Sequence, residues 1–576
     1  MMKKAQAFIY YLSYGNPKVF GVMLISAIFI VILRILGPFE LGWDQAIQLE
    51  AAHRLIHGLG LTSTYFATPL PNINQTPQPQ YLTWFPPAFS LIVACLLSLK
   101  LSLALSLKII YSLATIIGWL GWASIASNFL SKPMQLRWGY FSTQFAIAAL
   151  LPVFYTPLWE GTDIFLWAGL PFIIILFVTS AIKKSWSMPL IATAGVIFGL
   201  LYSFRYASLF VAVAAFFILF QVNFPHIRFF FKSYIIFISY SLLIIFPVYI
   251  YNKLVSISAG LPQYITDYGF SNIADTLHRI ISNWSNLSIL PGMPLIQTVA
   301  TYIKPYTAIN YIYGVLCFIF ICGLPIVISR ANKLEVSQFK RHINISISLL
   351  PISITIFLMF CMFFNPYNFL ENSRYYIPAM FSIIFISYDL ATRRTNHKFI
   401  KMACSTFIVI FVMYNIACVP LSVALQKPDT QLQRILSYIP KPSLQYPSNK
   451  VVSRNEDSLS KLKELQKINP EAVFFIQYQA NYIYDGSTGF RLIPGGKPGS
   501  DFWRTTHGDI WEKAYVDKAV KIFWVVDKAC PGICNAEEPY NPMPQLSDLP
   551  NTKTIFTYPD EGTKILVSDL PNGYKF

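Results

Sequence analysis

The sequence predicts a polytopic α-helical membrane protein carrying a C-terminal extracytoplasmic α/β domain. Three observations predict it. Of 576 residues, 55% are hydrophobic and only 12% charged, against about 25% charged in ordinary soluble chains. Runs of ~20 apolar residues with few charges recur as far as Pro420, the length that crosses a bilayer core. From Ser422 onward the composition turns to that of a soluble domain, which divides the chain into a membrane part, residues 1–421, and a tail, residues 422–576. The formal charge of +17 does not indicate nucleic acid, because Lys and Arg fall mostly in short loops between apolar runs, as the positive-inside rule expects.

Twelve apolar segments can be read in order: Val19–Gly37, Phe85–Leu99, Leu103–Asn128, Trp138–Pro157, Ile164–Ile182, Met188–Phe204, Ala207–Gln221, Ser233–Tyr251, Ala308–Ser329, Ile343–Phe364, Tyr375–Ala391 and Phe399–Pro420. The first has a basic start but no small-residue cleavage site after it, so it is expected to be a retained helix and not a removed signal peptide. Lys3, Lys4 and Lys18 place the N-terminus in the cytoplasm. Basic clusters at Lys183–Lys184, His226–Lys232, Arg330–Arg341 and Arg393–Lys401 mark later cytoplasmic turns, and the tail is then outside. Starting inside and ending outside needs an odd number of crossings, so one of the twelve segments does not cross. Phe85–Leu99 is the shortest candidate between the outer loop and the cytoplasmic Lys132 and Arg137, at roughly 22 Å of helix against a ~30 Å core. The expectation is about 11 crossings plus a half or interfacial helix, which would line a cavity near the outer helix ends.

Between the first two segments lies a polar loop with ELGWDQAIQLEAAHRLIHGLG near its start and YLTWFPPAF at its end. Asp44 stands close to the first span, where burial disfavours a carboxylate unless it has a partner or a task. It opens an amphipathic helix in which Ile47, Ala51 and Leu55 recur until Gly58 stops it. Helix capping and catalysis are both open to this Asp, and they are compatible. His53 and His57 share a helical face but have no third ligand, so neither a metal nor another cofactor is supported. Glu160 and Asp163, in TPLWEGTDIF, can face one cavity from a helix start, or serve the dipole there. Arg205 in SFRYAS and Arg374 in ENSRYY sit at outer helix ends. A planar guanidinium fork suits phosphate, and snorkelling to the interface is the alternative use.

In the tail, a helix LSKLKELQKI capped by Ser458 leads to a strand AVFFIQY, and KIFWVVD, TIFTYPD and KILVSD read as further buried strands of a small α/β layer fold. Six cysteines lie in apolar runs, where a thiol behaves as a small hydrophobe. Cys530 and Cys534, in KACPGICNAEE, are expected to form a structural disulfide closing a short loop in an oxidising compartment.

Taken together, WDQAIQLEAAHRLIHGLG, WFPPAFSLIVA, the Asp163 region, FRYASL and SRYYIPAM make the membrane part resemble the GT-C integral membrane glycosyltransferases, the superfamily of protein O-mannosyltransferases and lipid A aminoarabinose transferases. Gln45 stands where many relatives have a second acid, and Trp84-Phe85 where they have His before the prolines. The resemblance implies an inverting transfer of sugar from a polyprenyl-phosphate donor to an extracytoplasmic hydroxyl acceptor at the inner (plasma) membrane. It implies Asp44 as the base, Arg205 and Arg374 on the donor phosphate, and Glu160 and Asp163 orienting donor or acceptor. A surface-polysaccharide polymerase or ligase shares the substrate class. A lipid-linked sugar transporter or flippase is disfavoured, since the chain shows no internal repeat and its acids lie at outer helix ends, not mid-bilayer.

Overall fold

The structure is a computed structural model. It describes residues 43–63, 80–82, 85–129, 161–182, 187–224, 226–259, 338–364, 473–476, 492–494, 521–527, 553–557 and 563–569, with isolated positions elsewhere. Two compact units divide the chain: Met1–Leu36, Ile110–Ile250 and Gln263–Leu444 form one; Gly37–Ile109, Tyr251–Pro262 and Gln445–Phe576 form the other.

Glycine and proline set the limits of the elements in the polar loop. Helix α1 (Trp43–Ile56) ends where Gly58 adopts φ +77°, a left-handed backbone that costs glycine nothing. The Gly58 amide then donates to the Leu55 carbonyl at 3.1 Å, and the Leu59 amide to that of Arg54 at 2.9 Å. These two bonds satisfy carbonyls that a helix end leaves open. The stripe read from the sequence faces inward, with Ile47 and Ala51 buried against Leu61, Leu82 and Phe85, and Leu55 packed alongside. A minimal antiparallel ladder, β1 (Thr62–Ser63) on β2 (Gln80–Tyr81), covers the same cluster.

Helix α2 (Ala88–Ser98) follows Pro87 and is only 11 residues long. At its end Lys100 takes φ 62°, its amide bonding Leu97 at 2.8 Å while the Leu101 amide bonds Leu96 at 3.3 Å. The chain therefore stops this helix with a non-glycine left-handed residue, at a cost of ~1 kcal/mol. At ~16 Å it is too short to cross a ~30 Å core.

The chain is a polytopic helical membrane protein. In the first unit and its borders run α3 (Leu103–Phe129), α4 (Asp163–Ile182), α5 (Ser187–Phe204), a 3-10 turn (Tyr206–Leu209), α6 (Phe210–Asn223), α7 (Ile227–Ala259) and α8 (Gln338–Phe364). Among the described residues, six helical stretches are long and apolar enough to cross a membrane. They coincide with six of the apolar segments read from the sequence, though α7 and α8 begin before the apolar run, at Ile227 and Gln338. Segment Trp138–Pro157 lies outside the described residues, and four others are described only at isolated helical positions. Small residues let the helices close up. Gly118 lies under the Trp167 ring, a Cβ on Gly121 would stand 2.5 Å from Pro171, and one on Gly169 2.6 Å from Leu201. Trp122 donates its indole N–H to the Trp167 carbonyl at 3.0 Å, and Trp119 meets the Trp167 ring edge-on at 5.9 Å.

In the tail, β3 (Val473–Ile476), β4 (Leu492–Pro494), β5 (Lys521–Asp527), β6 (Lys553–Thr557) and β7 (Thr563–Asp569) form one sheet in the order β4-β3-β5-β7-β6. The first three are parallel and the last two antiparallel, with an irregularity between Thr554 and Phe556. Four of these strands fall on the apolar runs read from the sequence. Strand β4 does not. Cys530 and Cys534, with the loop they were expected to close, lie outside the described residues.

Candidate active site

The site residues in the first unit depend on how α4 and α5 are held. Tyr111 of α3, buried, donates its hydroxyl to the Gly161 carbonyl at 3.1 Å and so pins the turn just before α4. With Trp122 bonded to Trp167, α4 is fixed to α3 at two levels. Asp163 is the first residue of α4. On the other side, α5 ends and Arg205 alone separates it from the 3-10 turn, in extended backbone at φ −153° and ψ 119°. The Arg205 amide still reaches the Leu201 carbonyl at 2.9 Å, the Ser208 amide reaches the Arg205 carbonyl at 3.0 Å, and the Ser208 hydroxyl donates to Leu201 at 3.0 Å.

This break brings Arg205 onto Asp163. Its Nε donates to Asp163 Oδ1 at 3.0 Å, with the side chains 7% and 3% exposed. Phe165, two residues after Asp163, and Phe204, immediately before Arg205, stack at 4.0 Å between ring centroids, which joins α4 to α5 near the pair. Two opposite charges out of water hold each other strongly, because removing either leaves the other uncompensated. Arg205 therefore does not snorkel; its guanidinium is oriented from one edge by a carboxylate. The sequence placed both residues at helix ends without linking them.

In the second unit, Asp44 is the second residue of α1. Glu50 and Arg54 of the same helix are buried, although neither stood out in the sequence as a site residue. Ser63 donates its hydroxyl to Glu50 Oε2 at 2.7 Å, and Arg54 donates Nε–H to Thr62 Oγ1 at 2.6 Å. Ser90 of α2 donates to the Gln48 carbonyl at 2.8 Å. Glu160 and Arg374 lie outside the described residues. Among the described residues no group of three or more His, Cys, Asp and Glu is placed to hold a metal ion.

No protein-family model matches the chain, and no curated protein matches it. Solved structures do. ArnT from Cupriavidus metallidurans bound to undecaprenyl phosphate is 12% identical with a TM-score of 0.45, covering 95% of this chain and 97% of that one. The Archaeoglobus fulgidus oligosaccharyltransferase tethered to an acceptor peptide is 13% identical with a TM-score of 0.44, covering 89% of this chain and 70% of that one. The same archaeal protein in complex with Zn and sulfate is 12% identical with a TM-score of 0.41. The GT-C resemblance read from the motifs stands beside these likenesses.

Proposed function

We propose that this chain is an inverting glycosyltransferase that moves a sugar from a polyprenyl-phosphate donor to a hydroxyl acceptor on the outer face of the inner membrane, with the tail after residue 421 as a separate outer domain. The observation that carries this reading is the buried Asp163–Arg205 pair at the meeting of two apolar helices. A guanidinium held in place by a carboxylate is a preorganised partner for an anion that arrives from lipid.

The acceptor oxygen attacks the anomeric carbon and its proton passes to Asp44. The bond from that carbon to the phosphate oxygen breaks, and its electron pair leaves with the polyprenyl phosphate. A hydroxyl nucleophile needs a base within ~3 Å as it attacks. The departing phosphate gains negative charge, which Arg205, together with Arg374, offsets. Glu160 is assigned to orient the acceptor or its sugar. Asp163, by its contact, acts first through Arg205.

The test uses the full chain in nanodiscs with a panel of undecaprenyl-phosphate sugars, reading release of undecaprenyl phosphate. Asp44→Asn keeps the shape of the side chain but removes the base, so release falls ~100-fold or more. Near-wild-type release in that variant removes Asp44 from the role, and no release from any donor removes the reading itself.

A further inference from the structure

We propose that Glu50 and Arg54 are positioning residues that clamp helix α1, and with it Asp44, onto the β1–β2 hairpin. The inference rests on Asp44 being the base, as read above.

Both side chains are polar and yet among the most buried of α1, with Glu50 fully covered and Arg54 4% exposed. Burying a carboxylate and a guanidinium is costly unless each is hydrogen-bonded. Each is bonded to the same short strand. One helical turn apart, they take successive residues of β1: Ser63 gives its hydroxyl proton to Glu50, and Arg54 gives its Nε–H to Thr62. The Thr62 hydroxyl passes its own proton to the Leu59 carbonyl at 3.0 Å, which ties the strand to the turn that ends α1. The hairpin closes on itself through the Thr62–Tyr81 and Ser63–Gln80 pairs. Strand and helix are thus joined by polar bonds at one level and by the Ile47, Ala51 and Leu61 cluster at another.

Both clamp residues are engaged by β1 and stand well along the helix from Asp44. Along a helix rising ~1.5 Å per residue, Glu50 lies roughly 9 Å and Arg54 roughly 15 Å from the level of Asp44. Their action is therefore on the placement of α1. A base misplaced by ~1 Å loses much of its advantage, which makes such a clamp visible in turnover.

The experiment measures amide hydrogen exchange in full-length chain in nanodiscs, alongside release from the undecaprenyl-phosphate sugar panel. In Glu50→Ala and in the double variant Thr62→Val/Ser63→Ala, α1 amides should exchange ~10-fold faster while α4 amides remain as in wild type. Turnover should fall ~10-fold at unchanged donor KM. Glu50→Gln keeps an oxygen that accepts from Ser63, so both readouts should return to near wild type. Wild-type exchange of α1 in Glu50→Ala and the double variant, or faster exchange with wild-type turnover, would overturn the clamp. Asp44→Asn should keep wild-type exchange and lose turnover. If it keeps turnover, the base assignment fails, whereas the exchange of the clamp variants fails or holds independently of it.

Discussion

Asp163 and Arg205 are far apart in the chain, and each on its own has an ordinary use at a helix end. Their meeting depends on the extended backbone of Arg205 between α5 and the 3-10 turn, and on α4 being pinned by Tyr111 and Trp122. No local pattern encodes such a contact, which is why each residue reads in the sequence as having a separate task. A buried pair with one member neutralised leaves a buried charge without compensation. Asp163→Asn should therefore lower stability by about 3 kcal/mol, and adding Arg205→Met should recover part of the loss. Unfolding of the three proteins in detergent, followed by circular dichroism, checks this. A single variant as stable as wild type would show that the pair contributes nothing to the fold. Glu50 and Arg54 were hidden for a different reason: they border the apolar stripe of α1, at i+3 and i+7 from Ile47, where charged residues read as a solvated margin, whereas the hairpin that covers the stripe covers them too and bonds them through its hydroxyls.

Element boundaries were legible where the chemistry of a single residue fixes them. Gly58 ends α1 as expected, the Pro86-Pro87 pair precedes α2, and the apolar run KIFWVVD is strand β5 from end to end. The helix stop at Lys100 was not legible, since lysine carries no preference for the left-handed backbone it adopts there. Strand β4 was missed because three residues ending in Pro494 give no periodicity to read. How α3 and α4 pack yields a prediction with an unusual sign. Replacing glycine by alanine inside a helix ordinarily stabilises by ~1 kcal/mol. At Gly118 the added methyl would overlap the Trp167 ring, itself fully buried and held beside Trp119. Gly118→Ala should thus destabilise, by ~1–3 kcal/mol. A rise in the unfolding midpoint would show that the Trp167 ring yields.

For the whole molecule, composition alone identified a helical membrane chain, and six stretches of the described residues have the required length and hydropathy. The parity of crossings drew attention to Phe85–Leu99, and the described helix there is shorter than the apolar run itself. Orientation was read from charge, so it is tested by chemistry at the surface. Single cysteines introduced at Lys132 and in the tail should react differently with an impermeant maleimide applied from outside, the tail labelled and position 132 protected. Labelling in the reverse sense would turn the site inward and remove an outward-facing transfer.

On the proposed function, Arg205, oriented by Asp163, receives the phosphate of a lipid donor. The measurement that tests it most directly is a structure of the full chain in nanodiscs with undecaprenyl phosphate. The phosphate is expected within ~3 Å of the Arg205 guanidinium, the distance of a charge-assisted hydrogen bond. A phosphate held elsewhere, with Arg205 bonded only within the protein, would contradict the account.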